Sequence, residues 1–197
     1  MGVNIEIKAR VNDLSQLRRR VEELSDAPCE LIVQEDTFFH SPKGRLKLRV
    51  LAPDRAELIY YERADTAGPK PSHYRLATST GPASLKAVLS AALGVRGVVR
   101  KRRLLYKVGN TRVHVDDVDG LGAFLELEVV LGAGRTAEEG RTVAEELLRK
   151  LGIEEAALVE GAYIDLLETP AWDPLMAAVA RPGHRRAGSL RAPSDPS

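Results

Sequence analysis

The chain has 197 residues, 44% of them hydrophobic and 29% charged, with a formal net charge of +1 at pH 7. This is globular composition, and the near-balance of signs excludes a protein that collects on nucleic acid or membranes through bulk charge, so any basic site must be a local concentration. No apolar run approaches the roughly 18 residues of a membrane span, the first residues carry no signal-peptide core, and the single cysteine, Cys29, excludes an internal disulfide and fits a reducing cytoplasm.

The opening stretch NIEIKARV alternates strictly, with Ile5, Ile7 and Ala9 on one parity and Asn4, Glu6, Lys8 and Arg10 on the other. Period two predicts a strand with a charged face. In DLSQLRRRVEEL, Leu14, Leu17, Val21 and Leu24 recur at helical spacing. Strands are predicted over roughly 34–39, 44–51, 56–63 and 72–78, with SPKG and APDR as turns between them. A helix opened by Pro82 follows, then strands over roughly 98–107, 111–118 and 123–131, broken by VGN and DGLG. Thr136 and Glu139 form a capping box for a helix that stops at Gly152, and a last helix is expected over about 155–167. Residues 1–168 read as one domain, and the Pro- and Arg-rich stretch 169–197 as a disordered tail.

The strand parities carry the functional signal. Arg45, Lys47 and Arg49 share a face; Arg63 shares one with Glu57, Ile59 and Tyr61; Lys101 pairs with Arg103; Arg112, His114 and Asp116 align; and Glu126 sits with Glu128. A one-sided sheet with a solvated charged face is the simpler account. Against it, the charged parity recurs on at least five strands with few Ser, Thr or Gln residues, and the helices need the opposite, apolar parity to cover. An α+β fold, in which an eight-stranded antiparallel β-barrel has a polar lumen and helices packed outside, satisfies both.

Such a lumen would hold Lys8, Arg10, Arg45, Lys47, Arg49, Arg63, Lys101, Arg103 and Arg112. Cations at such close quarters repel unless a multiply charged anion lies among them. Arginine forks and lysine ammonium groups both suit phosphate oxygens, and their number points to a chain of phosphates. Carboxylates facing the same anion need a cation between. Glu6, Asp116, Glu126 and Glu128 are therefore expected as hard oxygen ligands for Mg²⁺ or Mn²⁺.

NIEIKARV resembles the ExExK signature of a known family, GRLKLR, LIYYERAD and GPKPSHY resemble its middle strands, and VRKRRLLY with NTRVHVDDVDGLGAFLELEVV resembles its C-terminal half. Over about residues 3–167 the set is similar to the CYTH superfamily, the triphosphate tunnel metalloenzymes that include class IV adenylyl cyclases, thiamine triphosphatases and inorganic tripolyphosphatases. The resemblance implies an eight-stranded tunnel, a bound triphosphate, a divalent metal, and Glu6 and Lys8 as catalytic residues. Asn4 departs from it, standing where the signature has its first glutamate; the metal set is then Glu6, Glu126 and Glu128, with Asp116 less central.

The expected activity is metal-dependent hydrolysis of a phosphoanhydride bond in inorganic triphosphate, thiamine triphosphate or ATP. The alternative is a cyclase that turns ATP into cyclic AMP and pyrophosphate. A non-catalytic polyphosphate or nucleotide binder is disfavoured, because carboxylates facing its ligand would cost affinity. Nucleic acid is not an expected partner, since aromatic residues do not alternate with the bases. His114 is read as a hydrogen-bonding spacer, Cys29 as a small buried hydrophobe, Lys70 as a loop residue at the tunnel mouth, and Arg185, Arg186 and Arg191 as solvated tail charges.

Overall fold

The computed structural model describes residues 2–132 and 134–168. The expected tail, with Arg185, Arg186 and Arg191, lies outside the described residues. The order is β1 (Gly2–Arg10), α1 (Leu14–Leu24), β2 (Glu30–Phe39), β3 (Arg45–Ala52), β4 (Arg55–Arg63), β5 (Lys70–Ser79), α2 (Pro82–Leu93), β6 (Val95–Val108), β7 (Thr111–Val118), β8 (Gly122–Val130), α3 (Ala137–Leu151) and α4 (Tyr163–Glu168). The strands close into one antiparallel barrel in the order β1-β5-β4-β3-β2-β6-β7-β8. Tight turns make its hairpins: Gly109 (φ 56°) joins β6 to β7, and Gly120 (φ 77°) joins β7 to β8, both in the left-handed region that glycine enters without a Cβ clash.

The apolar parity faces out as the alternation predicts and is covered on β1, β7 and β8, whereas Leu31 and Val33 on the outer face of β2 stay exposed. Ile5, Ile7, Val113, Val115, Leu125, Leu127 and Val129 form an outer core with Leu17 and Val21 of α1 and Ala144, Leu147 and Leu151 of α3. Asp13 caps α1 by accepting from the Gln16 amide, and the Thr136–Glu139 capping box opens α3. α2 lays Leu85 and Leu89 over Leu48 and Ala56. No helix among the described residues is long and apolar enough to cross a membrane.

The single helix expected over 155–167 is instead one 3-10 turn at Glu155–Ala157 followed by the short α4. Gly161, at φ 74°, turns the chain between them. The restart has its own cap: the Ala162 amide donates to Asp165 Oδ2 at 2.6 Å. α4 fills one end of the barrel, where Tyr163 and Ile164 pack with the inward-facing Phe38, Ile59, Tyr61, Val99 and Phe124. The lumen is thus apolar at that end and charged beyond it. Arg45 and Arg96 latch the helix through Asp165, at 2.6 and 2.7 Å. Cys29, expected buried, is exposed just before β2, because that strand begins beyond the cover of α1.

Candidate active site in the barrel interior

The barrel encloses a cavity of about 330 Å³ lined by side chains of all eight strands and of α4. β1 supplies Asn4, Glu6 and Lys8; β8 supplies Glu126 and Glu128; β7 supplies Arg112 and His114; β6 supplies Lys101 and Arg103; β3 supplies Lys47 and Arg49; and β4 supplies Glu57, Tyr61 and Arg63. Strand alternation delivers each of them inward, and pairing fixes their neighbours: Glu6 lies opposite Glu128, and Lys8 opposite Glu126, across the β1–β8 seam. Among the described residues the lining carries seven Lys and Arg side chains against five carboxylates, so the cavity is net cationic.

Each Lys and Arg of the cavity lining has an acidic partner among the described residues. Asp36 holds Lys47 at 2.8 Å and Arg49 through Nε at 2.9 Å. Arg63 donates to Glu6 at 2.8 Å, Arg112 to Glu128 at 2.7 Å, and Arg103 to Glu126 at 2.9 Å. Lys8 lies 3.4 Å from Glu126 and 3.8 Å from the centre of the Tyr163 ring. With its amide turned to satisfy both neighbours, Asn4 accepts from Arg112 Nη2 at 3.3 Å.

The protonation equilibria of the lining reflect this crowding. Burial, then Glu128 and Glu126, raises the Glu6 carboxyl against the opposing pull of Arg63. Burial also opposes ionisation of Glu126, but Lys8 and Arg103 hold it well below the ordinary carboxylate value. Lys101 is pushed down to about 7 by burial and Arg103, with Asp116 pulling the other way from 3.4 Å. His114 is pushed down to about 3 by burial and Arg103, so its imidazole is neutral at neutral pH.

Three of the expected site residues stand apart. Arg10 is exposed at the barrel end, donating to the Leu121 carbonyl at 3.3 Å and lying 5.0 Å from the centre of the Phe124 ring. Arg45 is spent on Asp65 and Asp165 beneath α4. Both have the inward parity, but parity sets the face of a strand and not the height along the barrel. Asp116, expected among the metal ligands, is fully buried behind the cavity wall. Arg103 takes both its oxygens at 2.6 Å, and Tyr163 Oη donates to Oδ2 at 2.9 Å.

Other participants are not marked by the charged parity of the strands. Asp36 shares the parity of Gln34 and Phe38, a mixed face that hid it, and Tyr163 arrives only because α4 restarts after Gly161. Ser72 lines the cavity from β5. Lys70 is not a loop residue: it begins β5 opposite Glu6, is buried, and donates to the Thr66 carbonyl.

Known proteins share this fold. A protein from Methanocaldococcus jannaschii named putative adenylate cyclase MJ0240 is 22% identical over 171 residues, covering 83% of this chain and 98% of its own length. The solved structure of the PH1012 protein from Pyrococcus horikoshii superposes with a TM-score of 0.74 at 28% identity, covering 83% of this chain and 98% of that one. HpAC1 from Hippeastrum, a putative adenylyl cyclase described as having a dominant triphosphatase activity, superposes with a TM-score of 0.60 at 15% identity, over 89% of this chain and 99% of that one. The family model for the CYTH domain matches residues 3–163, nearly everything from β1 to the start of α4, and the chain belongs to the CYTH domain family.

Proposed function

We propose that this barrel hydrolyses a phosphoanhydride bond of a triphosphate with the help of a divalent metal, Mg²⁺ or Mn²⁺. The observation that carries the reading is the close approach of three carboxylates, Glu6, Glu126 and Glu128, inside a cavity that is otherwise cationic. A pure anion binder gains nothing from them. Their mutual repulsion, felt in the raised Glu6, is relieved by a hard divalent cation, so the donor set fits one. When bound there, such a cation polarises phosphoryl oxygens.

The chain's own residues do the rest. Arg49, Arg103 and Lys47 bind non-bridging oxygens and neutralise charge that develops on them. Lys8, held between Glu126 and the Tyr163 ring, presents an ammonium where a leaving oxygen gains charge. The apolar packing around α4 keeps bulk water out of the inner end, which strengthens each of these contacts.

The cyclase reading has one observation in its favour beyond the names of relatives. Ile32, Tyr74, Leu76 and Leu105 join the lining where it is more exposed, a surface able to take a base. Incubation with Mg²⁺ or Mn²⁺ and inorganic triphosphate, thiamine triphosphate or ATP, read by ³¹P NMR, separates the cases. Orthophosphate is the expected product; cyclic AMP with pyrophosphate supports the cyclase, and no turnover of any of them overturns the enzyme.

Metal-free binding should also take up protons. Burial pushes the Lys101 ammonium down to about 7, below its unfolded value, so between the two the empty barrel carries fewer protons than its charge-assisted complex would. A polyanion beside Lys101 raises it again. Calorimetry at about pH 8 in buffers of different ionisation enthalpy is expected to show net proton uptake, and affinity to fall as pH rises above about 7. Lys101→Met should remove most of that uptake; uptake unchanged in the variant would separate Lys101 from the anion.

A further inference from the structure

His114 is the histidine of the cavity lining among the described residues. It faces Glu126 as its strand partner on β8, and its Nδ1 lies 4.0 Å from Glu128 Oε1. That nitrogen is buried and has no hydrogen-bond partner. A buried polar atom left unpaired costs stability, so a hydrogen-bonding spacer is a poor description of it.

The surrounding oxygens are arranged to match. Both cation contacts of Glu126 fall on Oε2, from Arg103 and Lys8, and Arg112 likewise takes Oε2 of Glu128. The Oε1 atom of Glu128 is the one turned towards His114. One ligand atom from each of His114, Glu126 and Glu128 can be chosen so that all three lie within 4.8 Å of one another. That is close to the width of a coordination shell built on bonds of roughly 2.0–2.2 Å.

We infer that His114 is a nitrogen ligand of the cation site, adding one imidazole to the carboxylates Glu126 and Glu128 beside Glu6, a mixed donor set that favours Mn²⁺ over Mg²⁺; this rests on the metal-bearing reading of the barrel. The chemistry gives a reason for the substitution of donor type. A neutral imidazole adds a strong ligand without adding a negative charge beside a polyanionic substrate, whereas another carboxylate would repel it. Imidazole nitrogen suits transition metals, while Mg²⁺ holds to carboxylate and water oxygens.

The test is pulsed EPR of the Mn²⁺-loaded full chain, grown with natural or ¹⁵N-labelled histidine, alongside His114→Gln. The expected result is a nitrogen modulation that changes with the label and is absent from the variant. Calorimetry should show Mn²⁺ affinity falling about tenfold or more in His114→Gln, with Mg²⁺ affinity moving much less. Bound Mn²⁺ without histidine coupling, or coupling that persists in the variant, overturns the ligand assignment and leaves the triphosphate reading standing. No bound Mn²⁺, with or without inorganic triphosphate, overturns the cation site itself. The labelled wild-type spectrum decides the matter even if His114→Gln fails to fold.

Discussion

Glu128→Gln is expected to lower triphosphate turnover by about 100-fold while metal-free affinity for triphosphate stays level or rises. The substitution keeps the shape of the side chain and removes its charge. Glu128 faces Glu6 across the β1–β8 seam and sits one alternation from Glu126, so its charge repels both and, with that of Glu126, raises Glu6. Without it a divalent cation loses one of its anchors. The anion loses nothing, because Arg112, released from its 2.7 Å contact with Glu128, is free to turn to phosphate. The measurement is paired: affinity by calorimetry without metal, and product formation with Mg²⁺ or Mn²⁺. Turnover unaltered in the variant removes Glu128 from the metal site.

Asp116→Asn is expected to destabilise the metal-free fold by about 3–5 kcal/mol, the range for breaking a buried ion pair by removing one partner. Asp116 is the countercharge that keeps Arg103 and Lys101 in the barrel, and it also accepts from Tyr163 of α4. An amide in its place turns a donor towards a guanidinium. The pH dependence follows the same contacts. Burial opposes the Asp116 charge, but Lys101 and Arg103 hold its carboxyl well below the unfolded value of about 3.9. Its stabilisation is present above that value and is lost as pH falls towards the folded one, so the variant should show a shallower acid limb. Urea unfolding at neutral and acid pH reads both effects. A stable variant whose only defect is metal affinity would return Asp116 to the ligand set.

Much of this was legible because a barrel strand writes its two faces on alternate residues. Glu6, Lys8, Lys47, Arg49, Arg63, Lys101, Arg103, Arg112, Glu126 and Glu128 were all expected inside, and all line the cavity. What alternation does not encode is position along the axis or choice of partner. Arg10 and Arg45 share the inward parity but lie at the end that α4 fills, and Asp116 turned out to neutralise two neighbouring bases. Alternation does not mark Asp36, because its strand mixes Gln34, Asp36 and Phe38 on one face. Tyr163 was hidden in a helical pattern that Gly161 interrupts, although a glycine followed by a new cap is a boundary that the residues themselves contain.

β1 precedes the other seven strands of the barrel, yet it pairs with β5, from Lys70 to Ser79, and with β8, from Gly122 to Val130. A growing chain therefore carries a strand with a charged face, one edge of which waits for β5 and the other for β8. Contacts so distant in sequence are closed late and slowly, because the loop entropy is lost before they reward it. The β1–β8 seam is also where Glu6 and Lys8 meet Glu126 and Glu128. Formation of the final joint and assembly of the chemistry are consequently a single event, and a ligand that bridges the joint acts as its clasp, favouring the finished molecule over every partly built one by mass action.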